Sequence, residues 1–389
     1  MHVGRIVFSQ LLDFVPKYEF NQCVTRYRGN RRVRTFSCWD QFLSMVFAQL
    51  TYRESLRDIE ACLGAMPTKL YHAGLRGHVC RSNLADANEG RDWRIWADLA
   101  QVLIATARGL YAHDDFGVEL NQMAYVLDST TIDLCLSLFP WARFRKRKGA
   151  IKLHTLMDLH GRIPSFIYIT DGITHDLYGL DLVVPEPGAF YIFDRAYTDF
   201  ARLHRLTQNW AFFVTRAKDN LDSGRRSWRA VDKSTGLRAD QTVTLRGPQS
   251  SRLYPDPLRR VRFYDAEDAK TLVFLTNNFL LPALTIARLY QCRWQVELFF
   301  KWIKQHLRIK AFYGTSPNAV KTQIWIAISV YLVVAILKKE LRLNCDLNKI
   351  LQILSISLFE QVPLGQLLTT NSAQNAQIDC HNQLPLFTF

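Results

Sequence analysis

The chain has 389 residues, more than one ordinary hydrophobic core uses, so two or three structural units are expected, and its 48% hydrophobic content can fill them. A formal charge of +14 and a pI near 9.5 point to a polyanionic partner, most simply nucleic acid, with a merely soluble basic protein as the plain alternative. Eight scattered cysteines without a CxxC pair or Cys–His zinc spacing argue against a disulfide or zinc framework and suit reduced, mostly buried thiols of a cytosolic protein, and no signal peptide is visible.

Residues 1 to about 118 read as helical. Trp39, Phe42, Leu43, Val46, Phe47 and Leu50 recur at helical spacing. A short helix follows near Ser55–Leu63, and Ser82 is placed to cap another running through Trp96. Short helices joined by tight turns suit a helix-turn-helix DNA reader and equally a plain helical bundle. Arg26, Arg28, Arg31, Arg32 and Arg34 form a basic run suited to phosphate contact, or a solvated arm.

The texture changes at Tyr125-Val-Leu-Asp128, which is β-rich. Ile151 to Met157 alternates, Ile163 to Ile169 does so more loosely, and Gly161-Arg162 supplies the turn of a hairpin. His175 to Leu182 is compatible with a helix. Ala189 to Phe193 is a buried strand ending at Asp194, 198–207 suits a helix, and Ala211 to Thr215 is a further strand. Strands followed by helix, strand, helix, strand make an α/β core. Residues 217–268, rich in Arg, Asp, Ser, Gly and Pro, interrupt it as a β-rich insertion, with strands near Thr242–Leu245 and Val261–Tyr264. Thr271–Thr276 resumes the core. The apolar run Ile324–Leu337 is too short to cross a bilayer and reads as a buried helix. Leu347–Phe359 is a last helix before a polar tail after Thr369. The expected division is therefore 1–118 helical DNA-binding region, 119–216 core, 217–268 insertion, 269–340 second part of the core, and 341–389 C-terminal helix and tail.

Nothing in Tyr290-Gln-Cys-Arg-Trp-Gln-Val-Glu297, continued to Lys304, breaks a helix. At about 100° per residue, Tyr290, Arg293, Glu297 and Lys304 fall within roughly 60° of one another as a polar stripe. Leu289, Val296, Phe300, Ile303 and Leu307 form a neighbouring arc that anchors the helix in a core. A carboxylate beside cations and a phenol suits phosphate handling, whereas the bland reading is a surface helix laced with salt bridges. Asp128 and Asp194 lie on short buried strands, where a charge is costly without a partner or metal. If they meet Glu297, the all-oxygen site prefers Mg²⁺ or Mn²⁺. Two ions about 3.5–4 Å apart would serve phosphodiester chemistry. Asp133, Asp158, Asp171 and Asp176 compete for these roles, and spacing does not choose among them. His154 reads as a structural strand residue.

Asp128 in Val-Leu-Asp-Ser-Thr, Asp194 in Phe-Asp-Arg-Ala-Tyr, and the Tyr-x2-Arg-x3-Glu-x6-Lys signature from Tyr290 to Lys304 resemble a DDE transposase of the insertion sequence 4 family. The resemblance extends to Phe36-Ser-Cys-Trp-Asp-Gln-Phe and Arg53-Glu-Ser-Leu-Arg-Asp-Ile. It implies a ribonuclease H-like core with a β-strand insertion between the second Asp and the Glu. It assigns Asp128, Asp194 and Glu297 to catalysis and to the metal ions, and Tyr290, Arg293 and Lys304 to DNA phosphates. In some relatives an insertion tryptophan holds a flipped base; Trp228 is the one available here, against a packed or surface indole. Arg145, Lys146, Arg147 and Lys148, in the basic stretch from Arg143 to Lys152, are further DNA-binding candidates, or a solvated loop. The expected partners are the DNA of transposon ends and target, with a homodimer to pair two ends. The competing functions are a catalytically silent DNA-binding derivative and a structure-specific nuclease.

Overall fold

The structure is a computed structural model that describes residues 4–145, 148–306 and 312–369. The chain forms two compact units, one of Met1–Leu110 with Trp302–Phe389, the other of Tyr111–Lys301. The polypeptide thus leaves the first unit, builds the second and returns, and the return falls inside the helix that carries Glu297.

The first unit is helical. Ser37 starts Cys38–Leu50 with a capping box: its hydroxyl accepts the Asp40 N–H at 3.2 Å, and the Asp40 carboxylate accepts the Ser37 N–H at 2.8 Å. Ser55 caps Leu56–Gly64 in the expected place. The expected cap at Ser82 is incorrect. Cys80 precedes the helix Arg81–Gly90, Arg91 turns extended, and a second helix runs Arg94–Tyr111 with the Arg94 N–H held by Asp92 at 2.9 Å. Arg26 of the basic run is exposed and pairs with Asp98. The apolar run is part of a 24-residue helix, Pro317–Glu340, capped by Ser316. That helix is long and apolar enough to cross a membrane, so the length argument fails. Even so, 94% of its most apolar window is buried. It packs on Cys38–Leu50, Arg81–Gly90 and Leu347–Ser357, which explains why it is apolar all round.

The second unit is built on one ten-stranded sheet. Its strands are β1 (Ala124–Leu134), β2 (Arg143–Arg145), β3 (Lys148–Asp158), β4 (Ile163–Asp171), β5 (Phe190–Phe193), β6 (Phe212–Arg216), β7 (Ser223–Arg229), β8 (Leu237–Leu245), β9 (Leu258–Asp265) and β10 (Lys270–Thr276). The order is β2-β3-β1-β5-β6-β10-β9-β8-β7, with β4 also paired to β3. β4, β3 and β1 are antiparallel neighbours, whereas β1, β5 and β6 run parallel. The β3–β4 turn needs its glycine: Gly161 has φ +66°, and a Cβ there would lie 2.3 Å from the Tyr111 ring. Tyr125 and Leu127 of β1, Tyr191 and Phe193 of β5 and Phe213 of β6 share a core with Leu180, Leu203 and Leu206 of the helices Tyr178–Leu182 and Phe200–Gln208. Alternation along β1 puts Asp128 on the face away from that core and Ser129 towards it.

Residues 217–268 supply β7, β8 and β9, which extend the same sheet through β10. The seam is fixed by a buried fork. Arg259 donates to both oxygens of Asp240 at 2.8 Å, and also to the backbone oxygens of Leu281 at 2.6 Å and Asn278 at 3.3 Å. The strand is thereby tied to the segment that leads into the next helix, Ala283–Gln291.

The expectation of one unbroken helix from Tyr290 to Lys304 is wrong. One helix ends at Gln291, Cys292 and Arg293 form a turn, and Trp294–His306 begins anew. The step is made by i→i−3 bonds, Arg293 N–H to Tyr290 O at 3.0 Å and Gln295 N–H to Cys292 O at 3.1 Å. Leu289, Val296, Phe300 and Ile303 are buried as expected, while Leu307 lies outside the described residues.

Candidate active site

Asp128 stands on β1 where its packing changes. Residues 124–127 are buried and 128–131 are half-buried. Its Oδ1 accepts the Ser129 backbone N–H at 2.8 Å. Asp194 follows β5, caps the short turn Arg195–Tyr197, and accepts the Arg195 N–H at 2.7 Å and the Tyr290 hydroxyl at 3.3 Å. Because β1 and β5 are parallel neighbours, these two acids leave the sheet at the same end. Glu297 arrives in the first turn of Trp294–His306, where the helix dipole favours a carboxylate.

Arg293 joins two of the three acids. One guanidinium nitrogen, Nη1, lies 2.8 Å from Glu297 Oε1 and 3.4 Å from Asp128 Oδ2. Glu297 is 56% exposed and Asp128 19%. Burial pushes the Asp128 carboxyl up to about 6; the Ser129 N–H and Arg293 pull it down, and the nearby charges of Glu297 and Asp194 push it further up. Burial alone works against the Arg293 charge, but Glu297 and Asp128 outweigh it and leave the guanidinium more firmly protonated than usual. Burial, with Asp194 beside it, pushes the Tyr290 phenol up to about 12, so it stays a hydrogen-bond donor. The three acids are electrostatic neighbours. As placed, no group of three or more His, Cys, Asp or Glu among the described residues stands close enough to hold one ion.

The break after Gln291 explains how Tyr290 and Glu297 serve different acids. Tyr290 ends one helix and reaches Asp194, whereas Arg293 in the turn reaches Asp128 and the next helix. Lys304 is half-buried farther along that helix and falls in the other unit. Arg145 and Lys148 are exposed and face each other across β2 and β3; Lys146 and Arg147 lie outside the described residues. Trp228 is 68% exposed on β7, the edge strand of the sheet.

Several residues near the acids had no role assigned from sequence, Asp176 being named only as a competing acid. Asp176 accepts hydrogen bonds from the Ser129 hydroxyl at 2.6 Å and Lys152 Nζ at 3.0 Å, which hold its carboxyl below the usual range against its burial. Tyr197, in the quoted Phe-Asp-Arg-Ala-Tyr, is 1% exposed and its hydroxyl meets no hydrogen-bond geometry. Burial raises that phenol strongly, and Asp128, Asp176 and Asp194 add to the effect. Thr155, the cross-strand partner of Asp128, is fully buried with an unpartnered hydroxyl. The competing acids have local work: Asp158 holds the His160 N–H at 3.0 Å, and Asp171 holds Thr174 through its N–H at 3.0 Å and its hydroxyl at 2.6 Å. His154 is wholly buried, kept neutral by burial, and bonded to Thr170 at 3.0 Å, as a structural strand residue should be.

Comparison with known proteins identifies the family. Residues 121–333 match a family described as the transposase DDE domain, and residues 3–76 match a domain of unknown function, DUF4372. A protein of Sinorhizobium fredii named as transposase y4zB is 33% identical over 72% of this chain and 77% of its own length. A protein of Geobacillus stearothermophilus named as the transposase for insertion sequence element IS5377 is also 33% identical, over 53% of this chain and 54% of its own. A piggyBac transposase synaptic complex with hairpin DNA is similar at 12% identity and a TM-score of 0.44, covering 97% of this chain and 84% of that one. With more than half of its length matched by the family model, this chain belongs to the transposase DDE domain family.

Proposed function

We propose that this chain is the transposase of an insertion sequence: it binds the terminal inverted repeats, cuts the phosphodiester backbone and joins the freed 3′-hydroxyl to target DNA. Asp128, Asp194 and Glu297 are its catalytic acids. The observation that carries this reading is the shared guanidinium. A single cationic nitrogen within 3.4 Å of Asp128 and 2.8 Å of Glu297 stands where an all-oxygen site would hold a divalent cation. The order β4-β3-β1-β5-β6, antiparallel then parallel, supports a ribonuclease H-like core that presents Asp128 and Asp194 side by side.

Mg²⁺ or Mn²⁺, as two ions held by the three acids, would activate water or a 3′-hydroxyl and stabilise the leaving oxygen. The chain's own groups do the positioning. Arg293 exchanges its carboxylates for a DNA phosphate, which its planar fork suits, and so clears Asp128 and Glu297 when DNA arrives. Tyr290 holds Asp194 and offers its hydroxyl to the same phosphate region. Lys304, Arg145, Lys146, Arg147 and Lys148 add cations for the backbone. Trp228, exposed on the edge strand, offers an indole face to an unstacked base. The N-terminal helical region reads the repeat, the sheet unit Tyr111–Lys301 carries the catalytic core, and two protomers bring two ends together close to the bacterial nucleoid.

The test is a gel shift with a nicking assay on the DNA that flanks the reading frame. The wild type should bind those flanks and nick them only with Mg²⁺ or Mn²⁺. Binding without metal-dependent nicking would make the chain a silent DNA-binding derivative. Nicking of any branched DNA regardless of repeat sequence would make it a structure-specific nuclease.

A further inference from the structure

A line of hydrogen bonds runs behind Asp128. The Ser129 N–H fixes Asp128 Oδ1 at 2.8 Å. The Ser129 hydroxyl donates to Asp176 Oδ1 at 2.6 Å on the opposite face of the sheet. Lys152 Nζ of β3 donates to the same Asp176 oxygen at 3.0 Å and to the Thr174 backbone oxygen at 2.8 Å. The line thus ties β1, β3 and the loop after β4 together at the residue next to the acid.

We propose that Asp176 is a positioning residue for Asp128: clamped by Lys152, it fixes Ser129, whose backbone N–H sets the direction of the Asp128 carboxylate. The inference rests on the reading of Asp128 as a metal-holding acid. Its physical basis is the change along β1. Upstream of Asp128 the strand is locked by buried Tyr125, Val126 and Leu127, but Asp128-Ser-Thr-Thr131 is only half-buried. The ladder with β3 pairs its backbone, Asp128 opposite Thr155 and Ser129 opposite His154, but its side chains are only partly packed, and a ligand must be held to about 0.5 Å and 10–20° to bind an ion well. The clamp supplies that restraint from the face away from the acids, so it does not obstruct DNA. Asp194 is held differently: its Oδ1 accepts the Arg195 N–H and the Tyr290 hydroxyl, and the Arg195 side chain pairs with the solvent-exposed Asp219 at 3.1 Å. Partners that orient a metal ligand are worth about 10–100-fold in metal affinity.

The experiment uses the full chain with its flanking DNA and Mn²⁺ as the probe, read from the loss of the free-ion paramagnetic resonance signal. Melting temperature and gel-shift affinity are measured alongside. Asp176→Asn and Ser129→Ala should weaken Mn²⁺ binding by about 10-fold or more while DNA affinity and melting stay near wild type. Ser129→Thr, which keeps the hydroxyl, should restore Mn²⁺ binding. Unchanged Mn²⁺ affinity in both Asp176→Asn and Ser129→Ala, with the wild type binding and Asp128→Asn not, overturns this inference alone. No Mn²⁺ uptake by the wild type, or full uptake by Asp128→Asn, overturns the reading of Asp128 and this inference with it. Should Asp176→Asn melt much lower, Ser129→Ala decides, because it leaves the Lys152–Asp176 pair in place: weakened Mn²⁺ binding upholds the clamp and unchanged binding removes it.

Discussion

Two arginines of the sheet unit meet carboxylates in opposite ways. Arg259 is 2% exposed and grips Asp240, 5% exposed, with two bonds of 2.8 Å, and its remaining donors reach backbone oxygens. Arg293 is 20% exposed, divides one nitrogen between two acids at unequal distances, and one of those acids stands mostly in solvent. The first pair is closed off from solvent, and its breakage leaves a stranded charge. The second is open, and a competing cation or phosphate can take either side. The difference separates a buried joint that holds strands from a joint that stands partly open to solvent.

The comparison breaks first at the acids. Asp128→Asn and Glu297→Gln should each lower metal-dependent cleavage of flanking DNA by about 10⁴-fold or more, above 5 kcal/mol in the barrier, without loss of gel-shift binding. Normal cleavage by either variant in Mg²⁺ would remove that residue from the open site. At the closed joint, Arg259→Met strands Asp240 and should cost about 3–5 kcal/mol in urea denaturation. The same change at Arg293 should cost less than at Arg259, because Glu297 remains in water and Asp128 keeps the Ser129 N–H. Equal losses would erase the distinction.

Titration gives a smaller effect. The Asp128 carboxyl is pushed up to about 6 by burial, against about 3.9 in an unfolded chain. The folded state therefore binds more proton between those values. Stability from the protonated form is complete below about pH 4 and is lost as pH rises through about 6. Without divalent ions, Asp128→Asn should match the wild type at pH 4 and exceed it at pH 7.5 by up to about 3 kcal/mol. A gap that does not change with pH would mean that burial of this acid costs nothing. The smallest effect is expected at the exposed cations: Arg145→Ala and Lys148→Ala should each flatten the salt dependence of DNA binding by about one unit of slope.

Much of the layout was legible in the sequence wherever a local pattern carries it. Alternation plus Gly161-Arg162 marks the β3–β4 hairpin, and the run from Ala189 ending at Asp194 marks β5. The helix break at Cys292 was invisible because neither proline nor glycine makes it; it comes from a tightened turn that any residue can adopt. Asp176 was inseparable from Asp171 and Asp158 because its partners, Ser129 and Lys152, come from strands distant in the chain. The return of 302–389 to the first unit was equally hidden. An all-round apolar helix announces burial and says nothing of what covers it.

That return has a consequence for synthesis. Cys38–Leu50 emerges early from the ribosome, yet the helix that shields it, Pro317–Glu340, is made only after the entire sheet unit. At ordinary elongation rates the wait is on the order of 15–50 s, with a largely apolar surface uncovered in the nascent chain. Truncated translation products that stop before Pro317 should therefore be insoluble or chaperone-bound, however well the sheet has formed.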